Sequence, residues 1–447
     1  MAADGPAVLQ ATAWYLPEDT GGTEIYVAEL VKALRPNGIG SQVIRPRESP
    51  GPDGYSHEGT VVRTYPVNPV PSPSELSGSA AHAGFDAFRT LLRGMRGKIY
   101  HQHSWTRGLG GLHLRAAREA GLRTVLTLHT PSCLCLRGTM MRFGEAQCDG
   151  RIVPRRCAAC RSEQRGAPRL VARGLGMLPP ALSRAAASAV PKGRAGTALA
   201  ARMLAERRRE EFTGMVQNAD RIVAVSLWLF EALRRNGVPQ EKLVLSRHGV
   251  APDFAAEIRQ RRRHVGASPR RPLRLIYLGR LHPVKGVHVA VAALRALPRA
   301  LPMTLTIHGV GSGAEEREYA AQIYAAAADD PRIVIAPPVS RSALAKVMME
   351  ADAIVVPSLW LETGPLVVLE AKAAGLPVIG SRLGGIAELV DEPDDGVLVV
   401  PGDVAAWTSA IELMAAAPRP VRRPDRSSPR TMCDVAAEMA ELYMTLR

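Results

Sequence analysis

Glu362 and Glu370 stand with seven residues between them in the stretch 357–377, P-S-L-W-L-E-T-G-P-L-V-V-L-E-A-K-A-A-G-L-P. Acids so spaced could hold sugar and ribose hydroxyls while backbone amides between them hold a diphosphate. The plainer reading is that both acids sit well near a helix N-terminus. Upstream, Arg280 and Lys285 place two cations in one short segment. Such a pair could neutralise a diphosphate and stabilise it as a leaving group, or simply be ordinary loop charges. His129 closes an apolar run, where an imidazole could hydrogen-bond a hydroxyl or a developing charge; a lone histidine at such a place commonly serves structure alone. Cys133, Cys135, Cys148, Cys157 and Cys160 give C-x-C-x12-C-x8-C-x2-C, and the gap in Cys157-Ala-Ala-Cys160 lets two thiolates turn onto one zinc ion. The rival reading is reduced, metal-free thiols packing a loop.

These residues need elements to place them. Residues 353–356, Ala-Ile-Val-Val before Pro357, read as a buried parallel strand, and a helix follows with Pro365 in its first turn and Gly375-Leu-Pro377 as its stop. Both acids then lie at the C-terminal edge of a sheet, where open α/β folds bind ligands. The same grammar recurs along the chain. Residues 7–11 form a strand, Gly21-Gly22 ends the following loop, and residues 23–35 form a helix with an apolar face at Val27, Leu30, Val31 and Leu34. Residues 98–103 and 123–129 are strands ending in His103 and His129. Residues 273–279 are a strand running into Arg280 and Lys285, and residues 303–308 lead into the glycine turn of Gly309, Gly311 and Gly313. Repeated alternation of strand and helix predicts doubly wound parallel sheets, and 447 residues are enough for two domains. Residues 45–78 read as exposed loop with one short strand at 60–65. Residues 251–272, with three prolines and an arginine run, read as the interdomain connection, and residues 175–180 as a break in a basic helical stretch.

The net charge is +15, and residues 151–211, with 14 Lys/Arg against 4 Asp/Glu, carry +10 of it. That suits anionic lipid headgroups, nucleic acid or acidic substrates, or is a solvated surface with no partner. No apolar run reaches the ~18 residues of a membrane span. The first residues lack the basic and apolar regions of a signal peptide, so a cytoplasmic protein with reduced thiols is expected. Aromatics at 4% and no base-reading module weigh against nucleic acid.

The stretch 357–377 resembles the E-x7-E motif of the retaining, GT-B-fold glycosyltransferases of family 4, the glycosyl transferases group 1. Further matches fall in family order: G-G-T-E-x-Y-V-A-E-L at Gly21-Gly22, T-L-H-T-P at His129, A-D-R-I-V-A-V-S and H-G-V before the hinge, and G-R-L-x-x-x-K-G at Arg280 and Lys285. The resemblance implies an α/β, GT-B architecture: two Rossmann-like doubly wound domains facing a central cleft. Residues 1–250 would be the acceptor domain with a cysteine-bearing and basic insert at 131–211, and 251–272 the linker. Residues 273–430 would be the nucleotide-sugar domain, and 431–447 a helix packing back on the first domain.

The resemblance also implies roles. Arg280 and Lys285 stabilise the departing diphosphate, Glu362 contacts donor-sugar hydroxyls, Glu370 holds the ribose hydroxyls, and His129 supports the reacting sugar. The amides around Gly364, Pro365 and Leu366 hold phosphate, the Gly21-Gly22 backbone faces the diphosphate, and Gly309 and Gly311 lie beside the nucleotide. Transfer would proceed with retention from a UDP-, GDP- or ADP-sugar, with no cofactor required for catalysis. The acceptor would be a carbohydrate, lipid-linked or small-molecule hydroxyl in envelope polysaccharide, glycolipid or glycoside synthesis. Where many members carry an aromatic and a glycine after the first glutamate, this chain has Thr363-Gly364-Pro365, which alters the sugar-side pocket. A subset of the family has a similar cysteine-bearing insertion, with a C-x-x-G segment like Cys135-Leu-Arg-Gly138. A structural zinc on Cys135, Cys148, Cys157 and Cys160 is expected; four protein ligands leave no open position, so it would not be catalytic. The basic stretch would rest on the inner face of the plasma membrane. Two other functions compete: a zinc-containing basic nucleic-acid-binding protein, and another GT-B enzyme such as a nucleotide-sugar epimerase. The pairing of Glu362 and Glu370 with Arg280 and Lys285 argues for transfer.

Overall fold

The structure, a computed structural model, describes residues 8–18, 21–70, 75, 80–106, 108–189, 193–262, 272–311, 313–416 and 429–446. It divides into one unit of Met1–Arg247 with Met432–Arg447 and a second of His248–Thr431.

In the first unit, short apolar runs become the strands β1 (Val8–Ala11), β2 (Ser41–Arg47), β3 (Gly54–His57), β4 (Thr60–Pro66), β5 (Ile99–Gln102), β6 (Arg123–Leu128), β7 (Met141–Arg142), β8 (Ala146–Gln147), β9 (Arg221–Ala224) and β10 (Leu243–Leu245). The main sheet runs β10-β9-β6-β5-β1-β2-β4-β3. Its pairs are parallel except β3–β4. Residues 45–78 thus hold more structure than expected. The alternation in Thr60-Val-Val-Arg-Thr-Tyr65 buries Thr60, Val62 and Thr64, Tyr65 is buried on the opposite face, and β3 pairs against the strand's edge; residues 71–74 and 76–79 lie outside the described residues. The C-terminal helix Met432–Met444 buries Met432, Val435, Ala436, Met439 and Tyr443, spaced three and four apart, in the core cluster that holds Tyr26, Val27, Leu30 and Leu34 of the helix Gly22–Leu34.

Between β6 and β9 the chain builds the β7–β8 hairpin and the helices Pro154–Gln164, Arg169–Met177, Pro180–Ala189, Arg194–Leu199 and Ala201–Asn218. The break expected at 175–180 comes late. The helix runs through Leu175 to Met177 because Ala172 and Gly176 seat it on the helix before it.

The second unit orders β11 (Leu273–Arg280), β12 (Met303–Val310), β13 (Ile333–Ala336), β14 (Ala353–Val356), β15 (Val378–Ser381) and β16 (Gly396–Val399) as β13-β12-β11-β14-β15-β16, all parallel. Alternate residues feed opposite faces: Leu275 and Tyr277 join Leu305, Ile307 and Trp407, while Ile276 joins Ile354, Val356 and Val368. The reading of 251–272 as connection is corrected here. Pro252–Arg262 is a helix whose Phe254, Ala255 and Ile258 pack into the second of these faces. That spacing is helical, and the prolines and arginines around it masked it. Residues 263–271 lie outside the described residues.

Candidate functional site

In the second unit, β11 and β14 are neighbours at the point where strand order reverses, and Arg280 and Val356 end them. A doubly wound sheet opens a crevice at such a point, outside the C-terminal strand ends. The two loops rising there are tied together. Val284 N donates to His282 Nδ1 at 3.2 Å, starting the 3-10 turn Pro283–Lys285, and Gly286 closes it in the left-handed region at φ 69°. Leu359 N donates to Val284 O at 2.7 Å. Gly286 lies so close to the carbonyl of Pro357 that no side chain fits between them.

This brings Lys285 Nζ to 2.7 Å from Glu362 Oε1, and Ser358 Oγ donates to the same oxygen at 2.8 Å. Glu362 is buried, and its carbonyl accepts from Gly385 N at 2.6 Å. The Lys285 ammonium also lies over the Trp360 ring, 5.2 Å from its centroid. A buried carboxylate matched by one ammonium and one hydroxyl is neutral as a group and fixed in place.

Arg280 is held differently. Its carbonyl accepts from Tyr277 Oη at 2.7 Å, and its half-exposed guanidinium stands 3.1 Å from Glu316 Oε1 in the first turn of the helix Ala314–Ala328. Gly309 lies within β12, where a Cβ would come 2.7 Å from Leu281, and Gly311 backs onto the Glu316 carbonyl at 2.7 Å by the same test.

Glu370 lies on the helix Leu366–Ala374, with Pro365 at its N-cap and Leu366 opening it, so the first N–H groups have no intrahelical acceptor. Burial pushes the Glu370 carboxyl up to about 7, against a smaller opposing pull from Arg341. Such a group gains from any hydroxyl that donates to its ionised form. Gly364 is pinned from a side the sequence does not announce: its carbonyl lies 3.0 Å from His248 Nδ1. Burial lowers His248 to about 4, so the ring is neutral, and Nδ1 carries the proton it donates. A Cβ on Gly364 would stand 2.6 Å from that nitrogen. Ser358, Glu316 and His248 are the residues that sequence reasoning missed here; only His248 left a signal, in the H-G-V match.

In the first unit, Gly21 caps the helix Gly22–Leu34, and buried Glu24 in the first turn folds its carboxylate back over Gly21. His129 follows β6. Its Nε2 lies 3.2 Å from His103 Nδ1, and His103 Nε2 lies 2.8 Å from Gln10 Oε1. Gln10 Nε2 donates to Tyr443 Oη at 3.4 Å, Tyr443 Oη lies 2.6 Å from His101 Nδ1, and His101 Nε2 lies 2.7 Å from Thr127 Oγ1. One tautomer set satisfies every link: Gln10 oxygen accepts from His103 Nε2–H, so His103 Nδ1 accepts from His129 Nε2–H, while Tyr443 donates to His101 Nδ1. His101 is neutral, driven to about 3 by burial first and by its neighbour His129 second. Tyr26 packs its ring edge to His129 at 4.6 Å between centroids.

Cys135, Cys148, Cys157 and Cys160 line one small cavity with Leu134, Met140 and Met141, and Phe143 N donates to Cys160 Sγ at 3.3 Å. The six cysteines are free, and burial raises the thiols of Cys148 and Cys160 and takes Cys157 to about 11. Among the described residues no three ligating side chains stand close enough to share an ion. The expected zinc ligands are therefore gathered around one space without forming a ligand set. Among the described residues no helix is long and apolar enough to cross a membrane.

Two parallel-sheet Rossmann-like units, one ordered 3-2-1-4-5-6 with a lysine–glutamate pair at its reversal, define a two-domain α/β enzyme of the nucleotide-binding type. The chain belongs to the glycosyltransferases: residues 21–249 match the glycosyl transferase 4-like domain, and residues 258–428 match glycosyl transferases group 1. It is 26% identical over 419 residues to the D-inositol 3-phosphate glycosyltransferase of Arthrobacter sp. (strain FB24), covering 89% of this chain and 82% of that one. Among solved structures it is similar to sucrose-phosphate synthase from Thermosynechococcus elongatus, with TM-score 0.67, 20% identity and 99% of each chain covered. It is also similar to Anabaena HepE in complex with UDP and glucose, with TM-score 0.57, 15% identity, and 98% of this chain and 96% of that one covered. The chain is accordingly an enzyme of glycosyl transfer, a GT-B glycosyltransferase of the group 1 family.

Proposed function

We propose that the second unit binds a nucleoside-diphosphate sugar and that the enzyme passes the sugar, with retention, to an acceptor hydroxyl. The observation that carries this reading is the Lys285–Glu362 pair at the sheet's reversal point, with Glu370 eight residues on along the next helix. Lys285 and Arg280 supply positive charge for a leaving diphosphate, and the first amides of the helix at Leu366 add donors to it. Glu362 offers its carboxylate to sugar hydroxyls, and Glu370 offers its own to ribose hydroxyls. His129 supports the reacting sugar, and Gly21, Gly22, Gly309 and Gly311 let backbone approach the donor. The similar structures of HepE, with UDP, and of Arabidopsis thaliana starch synthase IV, with ADP, support a UDP-, GDP- or ADP-sugar as donor. The acceptor is a carbohydrate, lipid-linked or small-molecule hydroxyl in envelope polysaccharide, glycolipid or glycoside synthesis. We place the enzyme in the cytoplasm and read residues 151–211 as a basic surface for anionic membrane. We further propose that zinc closes the four cysteines around their common cavity, as a structural ion.

The experiment is thermal unfolding against a panel of UDP-, GDP- and ADP-sugars. A ligand at 100 times its Kd adds about 2.7 kcal/mol of stability. A shift with one nucleotide family, followed by release of free nucleotide only when an acceptor is added, supports transfer. No shift with any donor overturns the reading, and release of an altered sugar nucleotide without acceptor points to an epimerase.

A further inference from the structure

The helix Arg169–Met177 is built inside out. Its buried positions are Ala172 and Gly176, and a Cβ on Gly176 would come 2.5 Å from the Arg155 carbonyl, so the closest part of the contact with the preceding helix is made by small residues. The large apolar side chains face away: Leu170 is 79% exposed, Val171 53% and Met177 60%, and Leu182 on the next helix is 57% exposed. At 100° per residue, Met177, Leu170 and Val171 fall within an arc of roughly 120° on the side opposite Ala172 and Gly176. The local core repeats the pattern, since Ala158, Ala201 and Ala205 form it. The seams have no room for leucine, valine or methionine, which stand in water instead. A contiguous apolar ridge of this kind marks a contact surface.

The charges around the ridge say what it contacts. Arg169 and Arg173 line one margin of it on the same helix, and exposed Arg155 lies on the neighbouring helix, its carbonyl backing Gly176. Arg169 is shared with Glu145, whereas the stretch 151–211 as a whole carries +10. Apolar side chains on one arc with arginines at its margin, whose stems lie along it while their heads reach phosphates, is the composition of a helix lying in a bilayer interface.

We propose that the helix Arg169–Met177 inserts Leu170, Val171 and Met177 into the headgroup–acyl boundary of an anionic bilayer, with Arg169 and Arg173 on lipid phosphates. This rests on the reading of 151–211 as a membrane-facing surface and adds the element that enters the membrane. The test is co-sedimentation of the full chain with vesicles of phosphatidylglycerol and phosphatidylcholine, and of phosphatidylcholine alone, across salt. Wild type should bind the anionic vesicles, and the triple variant Leu170→Gln, Val171→Gln, Met177→Gln should bind about tenfold or more weakly at the same salt. Arg173→Glu should weaken binding most at low salt. Hydrogen exchange of the wild type on vesicles should show protection over residues 169–178, which needs no variant. The three positions are exposed, so the variant should keep its thermal midpoint and its shift with donor sugars, which reports on the transferase reading separately. Binding by the triple variant equal to wild type overturns the insertion and leaves a purely electrostatic contact. No binding of wild type to any vesicle overturns both, and so does a dimer of the wild type that the triple variant abolishes.

Discussion

Lys285 Nζ and Glu362 Oε1 meet at 2.7 Å across 77 residues of sequence, in a second unit whose sheet brings their two loops side by side. Ser358 Oγ shares the same carboxylate oxygen. Lys285→Met would take the matching ammonium from a buried carboxylate, a loss of about 3–5 kcal/mol. Glu362→Gln keeps the acceptor for Ser358 and should cost less, and the double variant should recover part of the Lys285→Met loss. Urea unfolding of the three checks this; a Lys285→Met stability within error of wild type contradicts the pair.

Glu370 sets a conflict between stability and binding. Its folded carboxyl sits at about 7, above the ordinary 4.5 of a glutamate in the unfolded chain, so the unfolded chain releases this proton first. Stability from this group is therefore full below pH 4.5 and lost as pH rises to about 7, by at most about 3 kcal/mol, since the half-buried side chain keeps some water. Glu370→Gln should raise the apo midpoint at pH 8 and leave it unchanged near pH 4.5. The same variant should weaken donor binding by about 1–3 kcal/mol. A midpoint at pH 8 no higher than wild type would show that burial does not strain the carboxylate.

Arg280, Lys285, Glu362 and Glu370 were legible because each closes or follows an apolar run, and parallel strands bring all such ends to one edge. Their partners were not. Gly364 meets His248 from 116 residues away, and His101 meets Tyr443 from 342, so nothing in local spacing links them. The helix Pro252–Arg262 was hidden by composition, since three buried residues within five are outweighed by charged and proline neighbours. Cysteine spacing told which thiols would gather and not how near they would come.

Gly364 tests the loop that follows Glu362. A methyl group there would stand 2.6 Å from His248 Nδ1, so Gly364→Ala must displace the ring or the loop, at about 1–3 kcal/mol. His248→Ala alone removes one hydrogen bond and should cost about 1 kcal/mol or more. In the double variant the clash disappears, and the costs should sum to clearly less than the separate values. Strict additivity would mean that the two residues do not touch.

Metal analysis decides the cysteines. The purified protein should carry one zinc per chain, and Cys157→Ser or Cys160→Ser should lose it together with several degrees of thermal midpoint. The thiols of Cys148, Cys157 and Cys160, held protonated by burial, need an ion's charge to become ligands, so zinc uptake by metal-stripped protein should release protons. A folded protein without metal, insensitive to chelator, would reduce the cluster to packing thiols.

Tyr443 reaches into the histidines from the C-terminal helix, and its hydroxyl is the one link shared by Gln10 and His101. Tyr443→Phe deletes a donor to His101 and an acceptor for Gln10, both buried, at about 1–3 kcal/mol of stability. Freed from Tyr443, the Gln10 amide can turn, His103 can change tautomer, and His129 can lose the acceptor that fixes its Nε2–H. The nitrogen chemical shifts of His129 should then change from a single Nε2-protonated form to a mixture. If His129 supports the reacting sugar, kcat should fall about tenfold while the KM for the donor holds. The pH response of stability has its own sign. His101 is neutral when folded, at about 3 against an ordinary 6.5, so the unfolded chain takes up the proton first and stability falls as pH drops below 6.5. His101→Gln should flatten that part of the acid unfolding curve. An unchanged His129 spectrum in Tyr443→Phe would mean that the network ends at His103.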